Sequence, residues 1–235
     1  MSVRKILITG SSSGIGKAIV DHLLAQGHEV WGLSRRKQQR HHPQFHPCSL
    51  DLTKVSTMRQ KDFAVFDAVD AVIFSAGKGL FGHLEQLSIQ HIRDTFELNT
   101  LSVIYLIKYL LPGLKKKPSA DIIFIGSKAA LAGSKQGSIY CATKFALRGF
   151  AQSLRLECAS TQVRVAIIQP GMVRTPFFDT LSFEPEVGEM HALDPKEVAH
   201  TVQLILSTQR ETIFDEIVLS PQKQSVKKTK TTHES

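Results

Sequence analysis

Two side chains that could move a proton lie one helical turn apart in the sequence. Tyr140 and Lys144 are four positions apart in a stretch with helical periodicity that begins at Ser138, and this spacing places both side chains on one face of a helix. A free tyrosine has a pKa of about 10 and is a weak base at neutral pH. A neighbouring ammonium group favours the phenolate and is predicted to lower that pKa. The pair is therefore a candidate for general acid and base chemistry.

The pair alone is not specific, because Tyr and Lys occur four apart by chance in many helices. Ser127 adds weight, since it follows directly on a strand-like run over 120–125 that ends at Gly126. Ligands of open parallel sheets bind beyond the carboxyl ends of the strands. Residues suited to such a site stand at six predicted strand ends: Gly10, Ser34, Asp51, Gly77, Ser127 and Pro170.

The first predicted strand leads into a glycine-rich turn that opens a helix. Glycine lets the backbone turn tightly and approach a bulky anion, and a helix N-terminus offers free N–H groups and a positive dipole end to a pyrophosphate. A plain Gly-Ser turn would have a similar composition, but the strand before it and the helix after it favour dinucleotide binding. The contacts predicted in this turn are Gly10, Ser12, Ser13, Gly14, Ile15 and Gly16.

The end of the second predicted strand favours NADP(H) over NAD(H). An acidic residue here would accept the ribose 2′-hydroxyl of NAD, but this chain has Ser34-Arg35-Arg36. Arginine carries a fixed positive charge and a donor fork suited to a 2′-phosphate. We therefore predict Arg35 as the leading contact, with Ser34 in support. Arg36, Lys37 and Arg40 are equally well explained as a solvated basic loop.

Strand-like and helical stretches alternate along the chain. The strand-like runs are short and apolar, and several lack the alternation of a half-exposed strand, which indicates burial on both faces. This pattern predicts an α/β fold: one Rossmann-type, doubly wound domain with about seven parallel strands and helices on both faces. The domain is predicted over 1–220, and the Lys-, Thr- and Ser-rich segment 221–235 is predicted to be a basic, mobile tail.

Helical periodicity and capping residues give the expected helix bounds. Helices are predicted over 15–26, 53–61, 88–114, 138–158 and 195–206. Ser88 and Asp194 are expected to be N-caps. The third helix is expected to stop at Pro112-Gly113, because proline breaks a helix interior.

With these features in place, the chain resembles the short-chain dehydrogenase/reductase family over residues 4–220. The motifs that carry the resemblance occur in the family's order: Thr9-Gly10-x3-Gly14-x-Gly16, Asp51-Leu52-Thr53, Ser75-Ala76-Gly77, Leu98-Asn99, Ser127, Tyr140-x3-Lys144 and Pro170-Gly171-x-Val173-x-Thr175.

The resemblance implies a role for each of four side chains. Tyr140 would protonate the substrate oxygen during reduction, and Ser127 would hold that oxygen by a hydrogen bond. Lys144 would bond the nicotinamide ribose and depress the Tyr140 pKa, and Asn99 would hold a water that links Lys144 to a proton relay. Asn99 could instead be a polar residue tolerated in a helix, and Ser127 could be a helix N-cap.

Further cofactor contacts are implied at the later strand ends. Asp51 could instead be an ordinary cap for the next helix together with Thr53, or it could serve in both roles. Ser75 stands where the family often has an asparagine, and a hydroxyl replaces only part of the hydrogen bonding of an amide, so local strand bracing is expected to be weaker. The implied contacts are Asp51, Leu52, Ala76 and Gly77 near the adenosine, and Pro170, Gly171, Val173 and Thr175 near the nicotinamide.

The implied activity is that of an NADP(H)-dependent oxidoreductase, which interconverts a small carbonyl compound and a secondary alcohol. Loops 78–83, 128–137 and 176–193 are expected to choose the substrate. Lys78, Lys135 and Arg174 could bind a carboxylate, as in an enzyme for 3-hydroxy acids, or be solvated charges. The alternatives are a non-catalytic dinucleotide-binding sensor or interaction protein, and an epimerase or dehydratase that uses the same Tyr and Lys.

The composition excludes several other classes of protein. The net charge of +8 is concentrated in three patches, at 35–40, 115–117 and beyond Pro221, so the rest of the chain is nearly balanced and lacks the basic stripe of a nucleic-acid-binding face. No apolar run reaches the roughly 18 residues of a membrane span, and Gly10 to Gly16 interrupt any apolar core of a signal peptide.

The three cysteines, Cys48, Cys141 and Cys158, are odd in number and widely spaced. They indicate neither a disulfide framework nor a zinc site, and they fit a reducing compartment, so the cytoplasm is expected. The ten histidines show no ligand pairing, and no metal is predicted. By analogy with related enzymes, which pair their two long helices across a two-fold axis, a homodimer or homotetramer is expected.

Overall fold

A computed structural model describes residues 3–36 and 38–229. The expectations for Lys37 and for the last six residues of the tail lie outside the described residues. In the described chain the helices are α1 (Gly14–Ala25), α2 (Ile89–Phe96), α3 (Ser102–Leu114), α4 (Ser138–Cys158) and α5 (Pro195–Ser207). The strands are β1 (Lys5–Thr9), β2 (Glu29–Ser34), β3 (Phe45–Ser49), β4 (Ala71–Phe74), β5 (Ala120–Ile125), β6 (Val163–Pro170), β7 (Phe183–Pro185), β8 (Glu216–Leu219) and β9 (Val226–Lys228).

Seven of the described strands form one sheet in the order β3-β2-β1-β4-β5-β6-β8, and every pairing in it is parallel. The order reverses direction between β1 and β4, which is the doubly wound arrangement. The predicted α/β fold, its Rossmann type and its seven parallel strands are therefore confirmed.

Burial on both faces explains why the central strands are apolar throughout. Along β1, Leu7 packs into one core cluster while Ile6 and Ile8 pack into the other. One cluster takes residues from α3 and α4, and the other takes residues from α1 and α5. Alternate side chains of one strand thus serve opposite cores, and the carboxyl ends of the strands come to one edge of the sheet.

Two helix predictions are corrected. The predicted helix over 88–114 consists of α2, a π-helical turn at Glu97–Leu101 and α3. Pro112 lies inside α3 instead of stopping it, because the last turn is held by the Lys115 N–H on the Leu111 carbonyl. The predicted helix over 53–61 is replaced by two 3₁₀ helices, Leu52–Thr57 and Gln60–Phe66.

The expectation of a mobile tail from Pro221 is also wrong for the part of the tail that is described. β9 pairs antiparallel with β7 in a small separate sheet. The Thr229 N–H donates to the Ser182 carbonyl at 2.9 Å, and Lys227 Nζ lies 2.9 Å from Glu184 Oε1. The polar composition of the C-terminal segment does not indicate this pairing, because the partner strand β7 lies about 40 residues earlier in the sequence.

A buried carboxylate ties the sheet together at the edge opposite the glycine turn. Asp121, at the start of β5, is 1% exposed and accepts from Arg164 Nε at 2.7 Å and from Arg4 and Arg210 at 2.9 Å. These arginines come from the chain before β1, from β6 and from the loop before β8. Removal of one partner from a buried ion pair leaves the other charge uncompensated.

We therefore expect Asp121→Asn to lower the free energy of unfolding by about 3–5 kcal/mol, as measured by urea denaturation. The matched control is Lys17→Ala, which removes the exposed i,i+4 pair with Asp21 and should cost less than about 1 kcal/mol. Equal losses in the two variants would show that the Asp121 cluster does not hold the sheet.

Candidate active site

The turn between β1 and α1 is built for close approach of another backbone or a ligand. Gly10 has a φ of 72°, and a Cβ there would lie 2.8 Å from the Ala76 Cα. A Cβ at Gly16 would collide with the Gly10 carbonyl oxygen. Among the described residues, the Ser13 side chain makes no cap hydrogen bond to α1, so the first N–H groups of the helix remain available to an anion.

The ends of β1 and β4 are braced by a threonine. Thr9 Oγ1, almost fully buried, accepts from the Ser75 N–H at 3.1 Å and the Ala76 N–H at 3.2 Å. The buried Ser75 hydroxyl has no hydrogen-bond partner among the described residues. The brace therefore depends on the backbone at residues 75 and 76, and the serine side chain contributes nothing to it.

The end of β2 presents two arginines to the solvent side of the same turn. Arg35 and Arg36 are exposed and line the cavity described below. Ser34 Oγ donates to the Arg36 carbonyl at 2.7 Å, which turns the chain at this point. Gln38, which the sequence did not single out, donates from Nε2 to Ser11 Oγ at 2.7 Å and also to Ser34 Oγ at 3.1 Å.

Asp51 is engaged as a cap. Its Oδ1 accepts from the Thr53 N–H at 3.1 Å and the Thr53 hydroxyl at 2.9 Å, at the start of the 3₁₀ helix Leu52–Thr57. Partial burial alone would raise the Asp51 pKa, but the Thr53 hydrogen bonds and the Arg35 charge lower it below its ordinary value. The capping alternative drawn from the sequence is therefore the one that the structure supports.

Ser127 follows β5 and is fixed from two sides. Its N–H donates to Gln169 Oε1 at 2.7 Å, and its Oγ accepts from the Ala129 N–H at 3.1 Å as the N-cap of a short 3₁₀ helix. Gln169, fully buried in β6, in turn donates from Nε2 to Glu216 Oε1 at 2.8 Å. Glu216 of β8 holds Arg148 of α4 in a bidentate pair.

Tyr140 enters the cavity from the first turns of α4. Burial raises its pKa to about 12, although the hydrogen bond with the Ser127 side chain acts in the opposite direction. The phenol is therefore protonated at neutral pH. The prediction that Lys144 depresses this pKa is wrong for the structure, in which burial dominates and Lys144 Nζ lies 5.8 Å from the ring centroid.

Lys144 lies behind the cavity wall. Its side chain is 6% exposed, and Nζ donates to the Ile125 carbonyl at 3.2 Å. Burial lowers the Lys144 pKa to about 8. A Cβ at Gly77 would lie 3.3 Å from Asn99 Oδ1 and 3.8 Å from Lys144 Nζ, so Gly77 leaves room for both side chains.

Asn99 lies in the π-helical turn between α2 and α3. Its Oδ1 accepts from the Lys78 N–H at 2.9 Å, and its Nδ2 donates to the Lys78 carbonyl at 2.9 Å and to Thr143 Oγ1 at 3.2 Å. Single-turn π segments are frequent at functional sites. Asn99 is thus a bridge from the loop after β4 to α4, and more than a polar residue tolerated in a helix.

These features surround one cavity of about 1510 Å³. Its volume exceeds the roughly 300–1,000 Å³ of a typical small-molecule pocket, so it has room for more than one molecule. Its charged lining residues, within the described chain, are basic, and neither Asp nor Glu lines it. The basic residues are Arg35, Arg36, Lys78, Lys128 and Lys135.

All but three of the site residues predicted from the sequence line this cavity. The exceptions are Asp51, Asn99 and Lys144. Those that line it are Gly10, Ser12, Ser13, Gly14, Ile15, Gly16, Ser34, Arg35, Leu52, Ala76, Gly77, Ser127, Tyr140, Pro170, Gly171, Val173 and Thr175.

Sequence reasoning missed the lining residues of the C-terminal segment, Pro221, Gln224 and Val226. No local signal marks them, because only the pairing of β9 with β7 brings them there.

The suggested carboxylate ligand Arg174 is used elsewhere, since its Nη2 donates to the carbonyls of Glu186 and Gly188. The described residues contain no group of three or more metal-binding side chains.

Comparison with known proteins agrees with this geometry. A family profile described as short chain dehydrogenase matches residues 4–185. The chain belongs to the short-chain dehydrogenase/reductase family. It is an oxidoreductase of that type, and its fold provides for a nicotinamide dinucleotide. None of the helices in the described residues is long and apolar enough to cross a membrane.

Similar members of the family include proteins of several activities. An uncharacterized oxidoreductase of Staphylococcus epidermidis is 30% identical over 92% of this chain and 96% of its own length. A sepiapterin reductase of Chlorobaculum tepidum is 28% identical over 92% and 95%. The solved alcohol dehydrogenase of Thermococcus sibiricus, complexed with 5-hydroxy-NADP, is 26% identical with a TM-score of 0.83 over 95% and 99%.

The buried Lys144 should make stability depend on pH. Because its pKa falls from 10.5 to about 8 in the fold, the unfolded chain binds more protons between these values, and the free energy of unfolding rises with pH. From pH 7.5 to 9.5 we expect Lys144 to contribute a rise of about 2 kcal/mol.

Urea denaturation across this range should show the rise in the wild type and not in Lys144→Met. The control Lys116→Met removes an exposed lysine and should keep the rise. A parallel pH dependence in wild type and Lys144→Met would contradict the low pKa of this group.

Proposed function

We propose that this protein is an NADP(H)-dependent oxidoreductase that interconverts a small carbonyl compound and a secondary alcohol. One observation carries the proposal: the Tyr140 phenol and the Ser127 hydroxyl, which interact with each other, line the same cavity as the glycine turn at the start of α1. A proton donor and a dinucleotide cradle therefore share one space that is large enough for a cofactor and a substrate.

The residues around the cavity fit a nicotinamide dinucleotide. The pyrophosphate would lie on the N-terminus of α1, held by N–H groups around Gly14, and the nicotinamide would lie by residues 170–175 at the end of β6. When bound, the nicotinamide supplies or accepts a hydride at its C4 atom. The basic lining of the cavity suits this polyanion, since no acidic side chain of the described residues lines it.

Arg35 supports a preference for NADP(H). It is exposed at the end of β2 and lines the cavity, where a guanidinium can pair with a 2′-phosphate. The carboxylate of Asp51, which interacts with Arg35, accepts hydrogen bonds from Thr53. No carboxylate of the described chain thus lines the cavity to accept the two ribose hydroxyls of NAD.

Tyr140 would act as the general acid in reduction. Its raised pKa keeps the phenol protonated at neutral pH, which is the state needed to give a proton to an oxygen that gains negative charge. Ser127 would hold the same oxygen, because its backbone is fixed by Gln169 and its hydroxyl faces Tyr140.

Lys144 and Asn99 do not line the cavity, but each would support the reaction through residues that do. Lys144 would approach the nicotinamide ribose at Gly77, and with a pKa of about 8 it can exchange its proton near neutral pH. Asn99 would hold the loop at Lys78 against α4 and position a water for proton transfer to Lys144. Asp51 and Leu52 would lie by the adenine, with the Asp51 side chain serving as a cap.

The other proposed properties concern the whole molecule. We propose a homodimer or homotetramer in the cytoplasm, without nucleic-acid or membrane partners. Phe145 and Leu156 support an interface on α4, because both are exposed large apolar side chains. The segment 1–220 would form the catalytic domain. Lys135 lines the cavity and could bind a substrate carboxylate, such as that of a 3-hydroxy acid. Lys78 lines it too, but its Nζ lies 4.0 Å from Asp94 Oδ2, so a carboxylate would have to compete with that pair.

We expect Tyr140→Phe to lower kcat by about 10²–10⁴-fold, because general acid catalysis contributes about that much. The dissociation constant of NADPH should change by less than about twofold, since the phenol touches the reacting oxygen and not the pyrophosphate. NADPH oxidation with a panel of small ketones and aldehydes, and calorimetric titration, measure the two quantities.

Tyr105→Phe, a change on α3 away from the cavity, is the matched control and should retain full turnover. A wild-type protein that binds NADPH but consumes none with any carbonyl would support the sensor alternative. Conversion of a substrate without net NADPH consumption would support the epimerase or dehydratase.

We expect Arg35→Ala to raise the dissociation constant of NADPH by about 10- to 100-fold, as for the loss of a charge-assisted hydrogen bond. The NADH constant should change by less than about threefold, because NADH has no 2′-phosphate. Arg40→Ala, at a residue that does not line the cavity, is the control. Tighter binding of NADH than of NADPH by the wild type would refute the NADP(H) assignment.

A further inference from the structure

Five aromatic rings that line the cavity form a closed circuit of ring contacts. Going round the circuit, the ring centroids are 5.1 Å apart for Tyr140–Phe81, 4.9 Å for Phe81–Phe183 and 5.9 Å for Phe183–Phe178. Phe178–Phe177 at 5.3 Å and Phe177–Tyr140 at 5.8 Å close it. All five side chains line the cavity.

The first substrate loop is shaped for this circuit. A Cβ at Gly79 would lie 2.8 Å from the Phe177 ring and 2.9 Å from the Phe81 ring, so only glycine lets the two rings approach there. Beside Phe81, the Gly82 N–H donates to the Gln136 carbonyl at 2.7 Å. Gln136 adopts a φ of 60°, a left-handed conformation that is uncommon for a side-chain-bearing residue.

The C-terminal segment fixes the opposite side of the circuit. Phe183 begins β7, and its Cα partner in β9 is Lys228. Val226 and Gln224 of the same segment line the cavity next to it. Because Phe183 belongs to a paired strand, its ring is held in place by backbone hydrogen bonds and does not depend on ring contacts alone.

The charges around the circuit restrict what it can hold. Besides Arg35 and Arg36, the charged side chains that line the cavity are Lys78, Lys128 and Lys135, and none of the described lining residues is acidic. Aromatic faces attract cations, but a cationic substrate would be repelled by the lysine ammonium groups that line the cavity, although Lys78 Nζ also lies 4.0 Å from Asp94 Oδ2. The circuit is therefore suited to a neutral or anionic molecule.

We propose that the aromatic circuit is the substrate subsite and that it takes the flat, apolar ring of an aromatic ketone or aldehyde, neutral or anionic. This proposal rests on the proposed reductase function. The carbonyl oxygen lies at Tyr140 and Ser127, and the ring attached to the carbonyl lies against Phe81 and Phe177. The specificity of the site is then a preference for aromatic over saturated rings of the same size.

A preference that comes from aromatic ring contacts can be distinguished from one that comes from burial of apolar surface. A cyclohexyl group exposes at least as much apolar surface as a phenyl group, so burial of area alone gives no advantage to the phenyl ring. Tilted and edge-to-face ring contacts favour an aromatic partner beyond its buried area. At the low end of that effect, two such contacts correspond to about a fivefold preference and three to about a tenfold preference.

The test compares acetophenone with cyclohexyl methyl ketone at saturating NADPH. We expect kcat/KM to be about fivefold to tenfold higher for acetophenone in the wild type. In Phe81→Leu and Phe177→Leu the ratio should fall to below about twofold, since leucine keeps apolar volume but has no ring. A general disturbance of Tyr140 would lower both rates and leave the ratio unchanged.

Phe214→Leu is the matched control, because Phe214 packs against the core cluster of α1 and α5 and does not line the cavity. It should keep the wild-type ratio. A wild-type ratio near one, or a ratio that neither cavity variant changes, overturns the aromatic subsite even though turnover itself upholds the reductase.

If the protein shows no turnover, calorimetry can measure the binding of each ketone to the NADP⁺-loaded protein. If neither ketone is reduced, the panel of ketones and aldehydes decides the reductase proposal, and the ratio of the two dissociation constants decides the subsite separately. A preference for acetophenone that is lost in Phe177→Leu upholds it. Equal binding, or none, overturns it.

Discussion

A chain of hydrogen bonds from Arg148 through Glu216 and Gln169 to the Ser127 N–H holds the reacting edge of the sheet together. It joins α4, β8, β6 and the end of β5 at distances of 2.7–2.8 Å. Gln169 is fully buried, so each of its polar atoms must find a partner inside the protein. Because Arg148 and Tyr140 lie on the same helix, the chain also fixes Ser127 relative to Tyr140.

The electrostatics of the site follow from burial more than from pairing. Tyr140 and Lys144 lie side by side in a region that water barely reaches, and each is driven toward its neutral form, with pKa values of about 12 and about 8. A neutral phenol suits proton donation. With a pKa of about 8, Lys144 still carries its proton most of the time at neutral pH. Further positive charge lines the cavity on residues such as Arg35, where a polyanionic cofactor would bring the balancing charge.

The two halves of the cavity are built by different means. One part of the cavity lining consists of the glycine turn and the residues at the strand ends. The other half combines three loops with the C-terminal strand β9, and its wall is aromatic. The proposed substrate subsite thus depends on loops and on the C-terminal segment, whereas the residues at the strand ends are positioned by the sheet.

The sequence by itself determined most of the sheet and nearly all of the cofactor half. Short apolar runs and capping residues are local signals, and six strand ends with Gly, Ser, Asp or Pro mark one edge of a parallel sheet. The seven-stranded fold was predictable for that reason. So was the place of Gly10, Ser127 and Tyr140 in one cavity, because parallel strands bring their carboxyl ends together whatever their spacing in the chain.

Only the tertiary structure decided the rest. The pKa of Tyr140 depends on how much protein surrounds the ring, which no spacing of Tyr and Lys reveals. Asp51 caps a 3₁₀ helix because the Thr53 N–H lies within hydrogen-bonding distance. Arg174 binds a loop because the carbonyls of Glu186 and Gly188 do. The ordering of the polar segment at β9 depends on an unpaired strand edge about 40 residues earlier. Local composition encodes propensity, whereas burial and pairing are set by which distant parts of the chain meet.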